Sequence, residues 1–240
     1  MRWKLWIGFG LVVLSATIYV AEVLIFHDAR ATLFYMVQDI AFLPVSALLV
    51  AVVLTEVMTW RDRTVKLEKM NMVIGAFFSE TGGELLRRLT VFDASSGELG
   101  DSLRLGDDWK DADFAAARRR LDAHRFALDV RRGDLFELRD ALTAHRGFIL
   151  SLLQNPNLFE HETFSELLWA VLHVSEELTM NSELPYTHPA DIEHLATDME
   201  RAYRLLIGAW LGYMAHLSKA FPYLYSLGVR TNPFGGAAGA

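Results

Sequence analysis

Two long apolar runs open the chain, and nearly everything after them follows a helical period. The first run, Trp3 to Phe26 (WKLWIGFGLVVLSATIYVAEVLIF), carries one acid, Glu22, near its far end. The second, Ile40 to Trp60 (IAFLPVSALLVAVVLTEVMTW), carries only Glu56. Each is close to the roughly twenty residues that cross a hydrocarbon core as a helix, the one open structure that satisfies its own backbone in lipid. Pro44 falls near the start of the second run, where a first-turn proline costs little, and Asp39 stands where a capping side chain would. The pattern predicts spans over 3–26 and 40–60, joined by a connection from His27 to Asp39.

Beyond Trp60, Leu67, Met70, Ile74 and Phe77 alternate steps of three and four, so the second span continues as one helix until Gly82-Gly83 breaks it. ELLRRLTVF reads as a short helix, and the glycine- and acid-rich segment 93–113 as a polar loop. Three helical segments follow: DFAAARRRLDAHRFAL, then GDLFELRDALTAHRGFILSLLQ stopped by NPN, then Phe159 to Leu178. A long helix from Pro189 to about Ala220 carries a stripe at Ile192, Leu195, Met199, Tyr203, Leu206, Trp210, Tyr213 and Leu217. Leu205 to Leu217 is too short for a third span and reads as core. No run alternates as a strand does. The expected fold is all-α: a two-helix transmembrane hairpin (1–60), a cytoplasmic helical bundle (61–230) and a flexible tail (231–240).

Charge sets the orientation. The first sixty residues hold only Arg2, Lys4, Arg30, Glu22, Asp28, Asp39 and Glu56 as charged groups. Arg2 and Lys4 precede the first span; Arg61, Arg63, Lys66 and Lys69 follow the second. The excess of flanking lysine and arginine puts both termini in the cytoplasm of a bacterial inner membrane, the chain crossing it twice. A cleaved signal peptide would need a shorter apolar run ending in an A-x-A-like site, and none is present. Glu22, Asp39 and Glu56 sit near span ends; they either reach the headgroups or line an ion path in an oligomer.

The chain has no cysteine, which excludes disulfides, thiolate metal sites and cysteine nucleophiles. Its net charge of −7 is unevenly spread. Gly147 to Glu200 contains ten acids, four histidines and no lysine or arginine; the rest of the cytoplasmic part holds twenty basic and sixteen acidic residues. Arg118, Arg119, Arg120 and Arg125, with Arg131 and Arg132, form the basic counterpart. They either pair with the acidic block, face anionic lipid headgroups or a partner, or remain solvated.

Within the acidic block, Glu162, Glu166, His173 and Glu177 share one helical stripe, and Asp191, His194 and Asp198 share another. Carboxylates and imidazoles at i, i+3 and i+4 are ligand spacings of metal-binding helical bundles, although only Asp191-x-x-His194 approaches the usual repeat and both stripes fall opposite the apolar faces. A divalent or transition metal is thus the one cofactor considered; otherwise none is expected. Gly208 and Gly212 form a G-x-x-x-G that would admit a neighbouring helix. His145 lies near an apolar face and reads as a satisfied core histidine. G-x-S-x-G, P-loop, dinucleotide-fold and H-E-x-x-H motifs are all missing. The basic helix also lacks the interleaved aromatics of a nucleic-acid surface.

KMNMVIGAFFSETGGELL after the second span, FLP opening that span and RTNPF near the carboxyl end resemble an uncharacterised family of prokaryotic integral membrane proteins with an N-terminal transmembrane hairpin and a helical cytoplasmic domain. The resemblance implies architecture and assigns no activity. The leading expectation is a membrane-anchored, non-enzymatic helical module whose partners are the bilayer and a second copy or another membrane protein, with no role for nucleic acid. A subunit of a transport or ion-conducting assembly, and a metal-binding helical domain, are the alternatives.

Overall fold

The computed structural model describes residues 2–156, 158, 161–180 and 188–234. Among these the chain is helical throughout; an isolated bridge between Asp93 and Leu128 is the nearest approach to a strand. It divides into two units, Met1–Thr64 and Val65–Ala240.

In the first unit, α1 (Arg2–Phe26) ends at His27, whose φ of +52° is the left-handed turn that closes many helices. Asp28 then caps α2 (Ala29–Phe77), its Oδ1 accepting the N–H of Arg30 at 3.1 Å and of Ala31 at 3.0 Å. The connection expected over His27 to Asp39 therefore shrinks to two residues. Segment 29–39 has no glycine or proline to stop a helix, and the cap precedes it. Asp39 is accordingly no cap, and Pro44 lies fifteen residues inside α2 rather than in its first turn. There its missing N–H leaves the Ile40 carbonyl without a helical partner. Thr17, Thr55 and Thr59 donate their hydroxyls to the carbonyls of Val13, Ala51 and Thr55, four residues back, so these side chains need no water.

The second unit starts with the rest of α2, where Met70, Ile74 and Phe77 are buried as the seam predicts. A π-helical turn, Phe78–Gly82, interrupts the helix before α3 (Gly83–Phe92). A Cβ on Gly82 would lie 2.7 Å from the Phe77 and Phe78 rings, so glycine lets the two aromatics pack edge to face across the turn. α4 (Ser96–Ser102) is a two-turn helix inside the segment expected to be all loop. It forms because Leu99 and Leu103, both at 1% exposure or less, have a core to enter. After α5 (Asp111–Ala123), α6 (Leu135–Leu153) begins at Asp134, which caps Phe136 and Glu137. α7 (Glu162–Met180) packs on α6 and on α8 (Pro189–Ala220), and α8 also meets α3, α5 and α9 (Pro222–Arg230).

α8 is the central element. Leu195, Met199, Tyr203, Leu206, Trp210 and Leu217 of its predicted stripe are buried, and so are Ile207, Leu211 and Met214, which widen the face. Residues Thr231 to Phe234, expected to begin a flexible tail, are docked. Asn232 donates its side-chain amide to the Leu103 carbonyl at 3.0 Å, and the Phe234 ring lies edge-on to Trp210. Residues 235–240 of that tail lie outside the described residues.

Candidate functional site

The polar residues that come together do so on the flank of the α7–α8 pair. α7 turns Phe164, Leu168, Val171 and Leu178 inward, and α8 turns Leu195, Met199 and Ala202 inward. Burying both apolar faces fixes the rotation of each helix and brings one i, i+4 pair of each to a common edge: His173 and Glu177 from α7, His194 and Asp198 from α8. His173 meets Asp198 while Glu166 faces Arg201, so the helices run antiparallel. His173 Nε2 lies 3.2 Å and His194 Nε2 3.4 Å from the same Asp198 oxygen, Oδ2. One ligand-type atom from each of the four residues falls within 4.8 Å of every other. The imidazoles are largely exposed (59% and 64%), whereas the Asp198 side chain is 16% exposed. Asp198 Oδ2 is shut off from solvent, and the two nitrogens approach it off-line. Burial, opposed by His194 and His173 and reinforced by the Asp198 charge and a hydrogen bond with Asp198, holds the Glu177 carboxyl above the usual carboxylate range. His188 caps α8, its Nδ1 accepting the Ala190 N–H at 3.3 Å. Such an arrangement can share a proton or accept a cation.

The other acids of the two predicted stripes do not join this cluster. Glu162 and Asp191 are exposed in the first turns of α7 and α8. Glu162 stands eleven residues, about 16 Å of helix, from His173. Glu166 faces Arg201 at 3.7 Å.

Among the described residues, the acidic block draws its basic partners from its own flanks. Arg146 reaches Glu176 (2.9 Å), Arg201 faces Glu166 and Arg204 reaches Glu200 (2.9 Å). Arg118 pairs instead with Asp122 of its own helix. Its guanidinium rests where a Gly208 Cβ would be, at 2.4 Å, ten residues or about 15 Å of α8 beyond Asp198. Gly208 thus admits an arginine rather than a helix backbone, and Gly212 has nothing within 4 Å. Arg119, Arg120 and Arg125 are exposed. His145, read as a core histidine, is half-buried and held 3.2 Å from the Glu84 carboxylate.

Of the three acids of the hairpin, Asp39 and Glu22 both lie near enough to Tyr19 to act on its hydroxyl. Asp39 accepts the Tyr19 hydroxyl at 2.9 Å, which ties α2 to α1. Glu56 lies seventeen residues, about 25 Å of helix, further along α2.

A second polar cluster has no sequence motif. Ser95 donates its hydroxyl to Asp93 Oδ1 at 2.6 Å and lies 2.9 Å from His124 Nε2. With its proton committed to Asp93, the serine accepts from His124 and is not activated as a nucleophile. Asp93 is fully buried and also takes the N–H groups of Ser95 and Ala127, so the cluster fastens the 124–128 segment to the end of α3.

Two family models cover nearly all of the chain: "MJ1433, N-terminal helical domain" over residues 1–58 and "Uncharacterized protein MJ1433, C-terminal helical domain" over 66–230. The "Uncharacterized protein MJ1433" of Methanocaldococcus jannaschii is 37% identical over 233 residues, 97% of this chain and 94% of that protein. No solved structure matches.

Proposed function

The chain belongs to the MJ1433 family, with its N-terminal and C-terminal helical domains, and on that footing we propose a multi-pass inner-membrane protein whose helical domain is held in the cytoplasm and works by binding another protein chain. The observation that carries this reading is the surface of the hairpin. Thirty large apolar side chains between Trp3 and Trp60 are exposed, at 41% to 72%. The apolar stretches Trp6–Ile25 and Arg30–Arg61 have mean hydropathies of 2.0 and 2.3, and the most apolar window of each has nothing buried. Leaving such side chains in water forfeits on the order of 1.5–3 kcal/mol each, a total far beyond the roughly 5–15 kcal/mol that stabilises a domain. Lipid removes that cost. The basic groups flanking the spans orient the hairpin. Binding is favoured over catalysis by the outward Met72, Trp169, Tyr223, Leu224 and Leu227, which are 44% to 77% exposed.

Alkaline extraction of membranes from a bacterial host tests the anchor, and reporters fused behind Ala240 and at Asp28 test the orientation. The chain should stay in the pellet, with the Ala240 fusion active in the cytoplasm and the Asp28 fusion active outside. Recovery in the supernatant, or the reverse reporter pattern, refutes the reading. Cross-linking in those membranes should trap a species heavier than one chain; a monomer at every cross-linker dose would remove the binding role.

A further inference from the structure

We propose that His173, Glu177, His194 and Asp198 bind one divalent transition-metal ion of the Zn²⁺ class, which clasps α7 to α8. This stands independently of the membrane reading.

The distances point to coordination. A tetrahedral ion with bonds of about 2.0–2.1 Å to imidazole nitrogen and carboxylate oxygen places neighbouring ligand atoms about 3.3 Å apart. The two edges that meet at Asp198 Oδ2 measure 3.2 and 3.4 Å. The widest separation within the set, up to 4.8 Å, needs only a rotamer adjustment of exposed side chains to close.

The Asp198 carboxylate is a mostly buried corner of the set, reached there by His173, by His194 and, through a hydrogen bond, by Glu177. Its Oδ2 is shielded from solvent and faces two imidazole nitrogens at once. Burying a carboxylate charge is costly unless it is paired. An ion pair with arginine does not resolve it, since Arg146 is engaged with Glu176 and Arg201 with Glu166. In the forms that bind a metal, carboxylate and neutral imidazole, the four side chains together bring −2, the charge a dication cancels.

The donor set selects the ion. Two nitrogens and two oxygens suit Zn²⁺ and its borderline neighbours, whereas Mg²⁺ and Ca²⁺ take oxygen ligands. Four protein donors leave no open position, the mark of a structural rather than a hydrolytic site. The exposed faces of His173 and His194 give the ion its way in, beside a cleft of about 410 Å³ lined by His173, Glu176, Glu177, Met180 and His194. Because Glu177 lies in the last turn of α7 and His194 near the start of α8, the ion would latch the two helices where they adjoin in sequence.

The test is equilibrium dialysis of the detergent-solubilised full chain against Zn²⁺ alone, read by elemental analysis, with thermal unfolding before and after a chelator and the visible spectrum of the Co²⁺-substituted protein. One ion per chain is expected, with a higher Tm when loaded and a Co²⁺ spectrum of tetrahedral intensity. His173→Ala and Asp198→Asn should each weaken binding at least about tenfold. Glu162→Gln and Asp191→Asn should leave it unchanged, as their carboxylates are outside the set. His194→Ala, at an exposed position, repeats the test should Asp198→Asn disturb packing. The proposal falls if no stoichiometric ion is taken up, if uptake survives His173→Ala combined with His194→Ala, or if Mg²⁺ competes as well as Zn²⁺.

Discussion

At the scale of single residues, glycine separates two situations that composition cannot distinguish. A Cβ on Gly133 would lie 2.5–2.8 Å from the ring of Phe92, itself 2% exposed and hemmed in by the core. Gly133→Ala should therefore cost about 1–3 kcal/mol through overpacking. Gly212 in α8 and Gly147 in α6 meet nothing within 4 Å. Alanine at either should stabilise by roughly 0.5–1 kcal/mol, since it removes the entropy penalty of a helical glycine. Denaturant midpoints of the three variants check the sign of each. Asp93 is the polar counterpart of Gly133. Asp93→Ala strands the half-buried amides of Ser95 and Ala127 and should lose about 1–2 kcal/mol, with Asp93→Asn milder.

Between elements, α3 and α6 are strapped by a small ionic group. Arg88, first, and then His145 hold the Glu84 carboxyl below the usual carboxylate range. Arg88 also reaches Glu137 of α6 at 3.2 Å. A depressed carboxyl contributes stability above its unfolded pKa and surrenders it as pH falls through the folded one. Acidification through and below the ordinary carboxylate range should thus loosen α3 from α6, and Glu84→Gln should flatten that part of the stability–pH curve. α9 is tied down with the opposite sign. The Tyr225 hydroxyl donates to the Gly106 carbonyl at 2.6 Å, and burial, with Asp107, Asp108 and Asp113 nearby, pushes its pKa up to about 12. Stability from this contact is complete below the ordinary tyrosine range near 10 and drains away as pH rises towards 12. An absorbance titration should show a group of tyrosines ionising late, because burial also raises Tyr203 and Tyr213, and Tyr225→Phe should remove one tyrosine's share of that late step.

For the whole molecule, the decisive contrast is between a unit that buries its apolar residues and one that does not. Val65–Ala240 has its own core, from Met70 on α2 through Tyr225 on α9, while Met1–Thr64 leaves its large apolar side chains exposed. Val65–Ala240 expressed alone should be recovered without detergent and keep a helical far-UV spectrum; aggregation in the absence of the hairpin would show that its core is incomplete. The same contrast explains how helix type was readable in advance. Periodicity records which faces must be covered, and the stripe of α8 from Leu195 to Leu217 was covered as its spacing demands.

The chain alone determined its helices, the apolar hairpin and the uneven spread of charge, because each is a local or one-dimensional property. It also marked the four residues of the α7–α8 cluster, but together with Glu162, Glu166 and Asp191, since a helical stripe records angle and not height along a partner. Tertiary structure made the selection: the antiparallel packing of α7 on α8 sets His173 and Glu177 level with Asp198 and His194 and leaves the other three outside. It alone decided that Arg146, Arg201 and Arg204 pair with Glu176, Glu166 and Glu200 of the acidic block. It alone joined Asp93, Ser95 and His124, whose meeting spans 31 positions and follows no period. Contacts of that kind depend on which surfaces the core brings together, and no local pattern encodes them.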